Sequence, residues 1–193
     1  MRAVIVYESM YGNTHAVANS VAEGLRDEAC DVTVVPVGRA TKELIGHCDL
    51  LVVGGPTHMH GLPRPSTRKS AATAAGQPGS GLILESGALG PGLREWLHGL
   101  TPVDGVTAAA FDTRRNGPVL LTGQASRTIA QQLRRRGYRI LTPQRSFPVS
   151  KQNGLDASQA ERGRTWGQAL AFTASSSRWA DSSPNLISPG ADM

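Results

Sequence analysis

The chain has 193 residues, 39% of them apolar and only 5% aromatic, enough for one domain with a core of Val, Leu, Ile and Ala and too much for a wholly disordered chain. Its formal charge of +5 is spread along the sequence, and the densest cluster, Arg134-Arg135-Arg136, reads as a solvated helix end, so no nucleic-acid partner is expected. The 22 Gly and 12 Pro show no period, which excludes collagen and points to many loops.

Residues 3–7 (AVIVY) form an apolar run without alternation, as in a strand buried on both faces. Residues 14–28 follow with Val17, Val21, Ala22 and Leu25 on one helical face. A second strand is read at 31–36, a short helix at 41–45, and a third strand, apolar after Asp49, at 49–54. Residues 55–65 form a loop, 66–75 a short helix, and 75–92 a Gly/Pro-rich stretch without assignment. Helix pattern returns at 92–97, and strand four spans 106–111, with Phe111 closing it as a core residue. A helix over 126–136 turns Ile129, Ala130 and Leu133 inward and stops at Gly137. Residues 138–141 and 146–149 make a fifth strand broken around Pro143, and the last helix covers 156–173, with Ser158 as its cap and Trp166, Leu170 and Phe172 available for packing.

Strands alternating with helices argue for an α/β domain over residues 1–173, with a parallel sheet covered on both faces. The Ser/Pro-rich residues 174–193 read as a disordered tail. Cys30 and Cys48 form no CxxC, and both are expected to be reduced. No apolar run reaches membrane-spanning length and no signal-peptide pattern opens the chain. A cytoplasmic protein without membrane contact is therefore expected.

Ligands of open α/β sheets bind beyond the carboxyl ends of the strands, so those ends carry the functional reading. Strand one ends in Ser9-Met10-Tyr11-Gly12-Asn13-Thr14, an uncharged turn opening a helix. Unpaired N–H groups of a helix start receive an anion without a side-chain cation. Hydroxyls of Ser9 and Thr14 and the Asn13 amide add donors, and Gly12 permits positive φ. The plainer reading is a helix start capped by Asn13 or Thr14. The loop has no Lys, no Cys and neither a G-x-G-x-x-G nor a G-x-x-x-x-G-K-[ST] pattern, which argues against dinucleotide folds, nucleotide triphosphatases and thiol phosphatases. What is left binds a phosphate and lacks the groups to break it.

Strand three ends in Gly54-Gly55-Pro56-Thr57-His58-Met59-His60-Gly61, whose amides, imidazoles and thioether suit a flat heteroaromatic ring. A metal at His58 and His60 would want a third ligand, and none is near in sequence. Strand four runs on into Asp112-Thr113-Arg114-Arg115, where Asp112 and Thr113 can meet ring-edge atoms and Arg114 or Arg115 an anionic ring or plain solvent.

With these three stretches, "VIVYESMYGNT", "LLVVGGPTHMHG" and "AAAFDTRRNGP", the sequence resembles the flavodoxin-like FMN proteins. The resemblance implies a three-layer sandwich around a five-stranded parallel sheet in the order 2-1-3-4-5. In that order Cys30 and Cys48 stand two strand spacings apart, about 9–10 Å, too far for a disulfide. The resemblance further implies FMN at the tips of strands one, three and four. Ser9, Met10, Tyr11, Gly12, Asn13 and Thr14 then surround the phosphate, Pro56, Thr57, His58, Met59, His60 and Gly61 face the ring, and Asp112, Thr113 and Arg114 close the third side. Gly61 is the positional match for the glycine peptide that reorients on flavin reduction in the electron carriers. Tyr11 departs from the usual hydroxyl residue, and the S-M-Y-G form is similar to the quinone-reductase branch of the fold. Flavodoxins are typically acidic and this chain is basic, so its docking partner is expected to differ from theirs. The reading is a redox protein passing electrons through FMN to a partner protein or a quinone-type acceptor, as monomer or homo-oligomer. Its alternatives are an FMN-dependent NAD(P)H:quinone oxidoreductase and a flavodoxin-shaped binding module without redox chemistry.

Overall fold

A computed structural model describes residues 1–150 and 154–182. The strands are β1 (Arg2–Tyr7), β2 (Asp31–Pro36), β3 (Leu50–Pro56), β4 (Thr107–Arg115), β5 (Arg139–Ile140) and β6 (Arg145–Val149). The helices are α1 (Asn13–Asp27), α2 (Lys42–Gly46), α3 (Pro65–Ala75), α4 (Leu93–Gly99), α5 (Val119–Thr122), α6 (Ala125–Arg135) and α7 (Ala157–Ser182). All strand pairs are parallel, in the order β2-β1-β3-β4-β5, with β6 also paired to β4. The break at Pro143 therefore splits the fifth position in two. β5 pairs with the start of β4, opposite Thr107 and Ala108, and β6 with its end, from Phe111 to Arg115.

The uninterrupted apolar runs have their cause in this topology. β3 is central, every one of its residues is buried, and its side chains alternate between two cores. Leu51 and Val53 join Leu93, Leu97, Ile129 and Leu133 from α4 and α6. Leu50 and Val52 join Val17, Val21 and Leu25 of α1 and Trp166 and Leu170 of α7 on the other face. Each such aliphatic side chain contributes roughly 1.5–3 kcal/mol on burial. The α1–α7 contact is close because glycines face backbone. A Cβ on Gly167 would stand 2.2 Å from the Val21 carbonyl oxygen.

Several local expectations shift. Thr41 precedes α2 and caps it, its Oγ1 accepting from the Leu44 N–H at 3.3 Å. Ser158 is not the cap of α7; Asp156 is, its Oδ1 accepting from the Ser158 N–H at 2.8 Å. A carboxylate there also complements the positive end of the helix dipole. Phe172 points away from the core and is 74% exposed, while Trp166 and Leu170 are buried as expected. α7 does not stop at 173 but continues through Ser182, with Ala174 buried; residues 183–193 of the expected tail lie outside the described residues. Gly137, at φ 87°, ends α6 as anticipated. Cys30 and Cys48 are both free and buried. Among the described residues no helix is long and apolar enough to cross a membrane.

Candidate functional site

The strand order brings the loops after β1, β3 and β4 together at one end of the sheet. They enclose a cavity of about 200 Å³. Its walls come from all three loops: Ser9, Met10, Tyr11, Asn13 and Thr14; Pro56, Thr57 and His58; Thr113, Arg114 and Arg115. Val149, at the tip of β6, closes the far side. Register explains the convergence. β3 and β4 pair Pro56 with Thr113, and the Thr57 N–H continues the ladder to the Thr113 carbonyl at 2.8 Å.

The helix start on this cavity is not capped by Asn13 or Thr14. Gly12 holds the capping position at φ 87°, in the left-handed region, and has no side chain to offer. Its own N–H donates to Ser9 Oγ at 3.1 Å, folding the turn back beneath the helix. The amino end of α1 thus presents its partial positive charge to the cavity without a carboxylate in the first turn to neutralise it. The Thr14 hydroxyl is buried against Thr113 Oγ1 at 2.7 Å, tying the first loop to the third. Tyr11 turns outward over α3, its hydroxyl donating to the Ala71 carbonyl at 2.8 Å. Met10 is buried, and its carbonyl accepts from the Glu85 N–H at 2.8 Å, which anchors the unassigned 75–92 stretch to the site.

Asp112 stands behind the cavity wall rather than in it. It is 0% exposed, and its Oδ2 accepts from Thr57 Oγ1 at 3.0 Å and from the Ser126 N–H at 2.9 Å. Thr57 Oγ1 also accepts from the Ala125 N–H at 3.0 Å. Together Asp112 and Thr57 cap α6 from outside its own sequence, which is a structural task and not a ligand contact. Burial raises the Asp112 pKa above the ordinary carboxylate value, against the lowering effect of these hydrogen bonds. Arg114 is also committed: its Nη1 donates to the Gly117 carbonyl at 2.6 Å and to Thr122 Oγ1 at 2.9 Å. Arg115 is the exposed cation of the pair and lines the cavity together with a neighbouring recess.

That recess, of about 390 Å³, continues from the cavity through Thr57 and Arg115 and is lined by Met59, His60, Asn116, Gly117, Pro118, Leu121 and Thr122. His58-Met59-His60-Gly61 is a two-residue hairpin turn: the His58 N–H meets the Gly61 carbonyl at 2.8 Å, and the Gly61 N–H meets the His58 carbonyl at 3.0 Å. Met59 and His60 have φ of 46° and 71°, the signs of a type I′ turn. Gly61 faces away, onto a third hollow with Arg64 and Arg94. Burial, and secondarily the Arg68 guanidinium, hold the His58 pKa below the ordinary histidine value, which keeps the ring neutral.

Sequence reasoning missed the support under the first loop. Glu8 is buried; its Oε2 accepts from the Leu93 N–H at 2.8 Å and its Oε1 lies 3.7 Å from the buried Arg68, which also reaches Glu95. Burial raises the Glu8 pKa, opposed by the Leu93 N–H and by Arg68. An acid closing an apolar strand is its only sequence signal. On the other side, His15 stacks on Tyr7 at 4.5 Å and its Nδ1 meets Glu85 Oε1 at 2.6 Å. Burial and the nearby Glu85 carboxylate push the Tyr7 pKa up to about 12.

Residues 5–90, which include the first loop and the 58–61 turn, match the family model described as flavodoxin. The chain has a flavodoxin-like fold. The flavodoxin of Aquifex aeolicus is 41% identical over 59 residues, a match that spans 30% of this chain and 32% of that relative. An archaeal flavodoxin superposes with a TM-score of 0.63 at 20% identity, covering 91% of this chain and 99% of the other. Flavodoxin 1 of Bacillus cereus does so with a TM-score of 0.61 at 16% identity, covering 89% and 98%. At these identities the superpositions establish the fold of the chain and leave its chemistry to its own residues.

Proposed function

We propose that the chain binds FMN and acts as a redox protein that passes electrons through the bound flavin. The observation that carries this reading is the uncapped start of α1 at Gly12, opening into a cavity built by all three loops at the tips of β1, β3 and β4. Backbone N–H groups at the start of α1 and the Ser9 hydroxyl hold the phosphate. The recess beyond Thr57, with Met59, Pro118 and Leu121, takes the flat ring, and Arg115 stands where cavity and recess meet. The flavin, when bound, supplies the acceptance and release of electrons. The protein positions it: Thr57 is fixed by Asp112 and Ala125, and Thr14 by Thr113.

Titration of the purified chain with FMN and with riboflavin tests this reading. FMN fluorescence is expected to be quenched to saturation at one flavin per chain. Riboflavin, lacking the phosphate, is expected to bind about tenfold or more weakly, since the anion site contributes roughly 1–2 kcal/mol. Equal affinities for the two would refute the phosphate site.

A second reading, an NAD(P)H:quinone oxidoreductase, is favoured by one feature. The recess carries no Trp or Tyr among its lining residues, which leaves a ring face open to a second substrate. Oxidation of NAD(P)H by the FMN-loaded chain with a benzoquinone, faster than free FMN alone, separates this reading from plain electron transfer.

A further inference from the structure

On the face of the sheet away from α6, β6 and α7 enclose a hollow of about 270 Å³. It shares no lining residue with the cavity at the strand tips or with the recess beyond it. Arg145 and Phe147 of β6 and Glu161, Arg162, Thr165 and Trp166 of α7 contribute to its walls. The back wall is aromatic. Phe147 and Trp166 are buried, their ring centroids 6.2 Å apart, and both meet Phe111 edge to face. The mouth is cationic. Arg145 and Arg162 are exposed, and the Arg162 guanidinium stands 5.8 Å over the Phe147 ring.

Donors at this hollow lack acceptors. Trp166 is only 5% exposed, yet its Nε1–H has no partner among the described residues. Trp96 shows the usual arrangement, its Nε1–H donating to the Ala40 carbonyl at 3.2 Å. A buried donor left without an acceptor is costly, so a ligand that supplies one is favoured. Neither Arg145 nor Arg162 pairs with a carboxylate among the described residues, and Arg162 donates to the neutral Gln159 Oε1 at 2.6 Å. Glu161 is the one acid in the lining, and its charge also acts on Arg164. The surplus of donors calls for an anion. Size and wall then narrow its class. The volume is several times the ~30 Å³ share of a water and falls just short of the roughly 300–1,000 Å³ of drug-sized sites. A sulfate or phosphate would leave the aromatic wall uncovered, whereas one aromatic ring bearing a carboxylate covers it.

We propose that the hollow between β6 and α7 is a second ligand site, for a single-ring aromatic carboxylate. Arg145 and Arg162 take the carboxylate through charge-assisted hydrogen bonds, for which the planar guanidinium is suited. The ring lies against Phe147 and Trp166, and a carboxylate oxygen gives the Trp166 indole N–H its acceptor. The site does not depend on the flavin reading, because the two share no lining residue.

The test is titration of the full chain, with FMN added, by sodium benzoate, benzamide, acetate and sulfate at constant ionic strength, followed by calorimetry and by two-dimensional proton–nitrogen NMR. Benzoate is expected to saturate at one per chain and to bind at least about tenfold more tightly than benzamide, acetate or sulfate. The Trp166 indole N–H signal, assigned by its loss in Trp166→Phe, is expected to shift on binding while that of Trp96 stays in place. Arg145→Gln, at an exposed position, is expected to weaken benzoate about tenfold with Tm and FMN quenching unchanged, and Arg145→Lys to recover part of the loss. Absence of saturable benzoate binding, or an Arg145→Gln chain that binds like wild type, would overturn the site. So would a Trp166 signal that does not move. Sulfate or acetate binding as tightly as benzoate would reduce it to a plain anion contact, and benzamide doing so to a plain apolar hollow; either result overturns the carboxylate site. A chain that fails to quench FMN yet binds benzoate in this pattern would refute the flavin reading and leave the second site standing.

Discussion

His60→Gly is expected to make the protein more stable. His60 holds φ 71° in a two-residue turn whose neighbour, Met59, is also at positive φ. An L-residue in that region costs about 1–2 kcal/mol relative to a right-handed conformation, and glycine does not bear that cost. Glycine in turn gives the unfolded chain more freedom, which subtracts roughly 0.5–1 kcal/mol. The net gain is about 0.5–1 kcal/mol. For a chain of this length that raises Tm by about 1–4 °C. The substitution removes no backbone contact: the turn is closed by the His58–Gly61 pair, and Gly123 meets the backbone of residue 60 rather than its side chain. His60→Val supplies the opposite arm, because a β-branched residue tolerates positive φ poorly, and it is expected to lower Tm by a similar amount or more. Thermal unfolding by circular dichroism of the three proteins gives the answer. If glycine and valine shift Tm in the same direction, the turn is not under the strain assigned to it. Retained strain beside the recess fits a site held in a shape its sequence alone would not choose.

Gly12→Ala is expected to weaken FMN binding and to cost about 1–2 kcal/mol of stability, while Gly12→Asn, whose side chain tolerates φ near 87°, retains most of both; equal effects of Ala and Asn in fluorescence titration and urea unfolding would contradict the backbone argument. Gly167→Ala drives a Cβ against the Val21 carbonyl and is expected to cost about 1–3 kcal/mol by urea unfolding, with wild-type stability as the refuting result. Asp112 gives a pH test. Burial raises its folded pKa above the unfolded value, so its favourable contribution is complete below the unfolded pKa and is lost as pH rises through the folded one. Asp112→Asn is therefore expected to gain stability relative to wild type as pH increases from 4 to 7, and a pH-independent difference in Tm would show that ionisation of Asp112 does not matter.

What the sequence made readable was whatever rests on periodicity. β1 and β3 are legible because a strand covered on both faces needs residues without strongly polar side chains at every position, and 3–7 and 50–54 have them. The broken fifth strand is legible because Pro143 interrupts its ladder. The first loop is readable as the turn into a helix start from its glycine and small polar residues, although the capping residue is Gly12 and not Asn13 or Thr14. Long-range polar pairing was out of reach. Nothing local shows that Asp112 serves the start of α6 or that Glu8 meets Leu93 and Arg68, since those partners lie far along the chain. α5 escaped for another reason: a four-residue helix with three exposed apolar side chains has neither a buried face nor a cap to mark it.

These hidden pairings divide labour at the tip of the sheet. Asp112, Glu8 and Arg68 are ionisable and buried, and each spends its hydrogen bonds on backbone or on another side chain of the frame. The cavity itself is walled by hydroxyls, amides and one exposed arginine, with no carboxylate among its lining residues. Placing the acids one layer behind the wall keeps the loops in register without adding a negative charge where a phosphate would sit. Replacing Thr57 by Val would break that separation. Asp112 Oδ2 would lose one donor and the Ala125 N–H its acceptor, leaving buried groups unpaired at roughly 1–3 kcal/mol each. The expected outcome is a loss of stability together with a loosened α6 start, read as faster amide exchange at Ala125 and Ser126. Unchanged exchange at those two amides would mean that α6, and with it the third wall of the site, is held by packing alone.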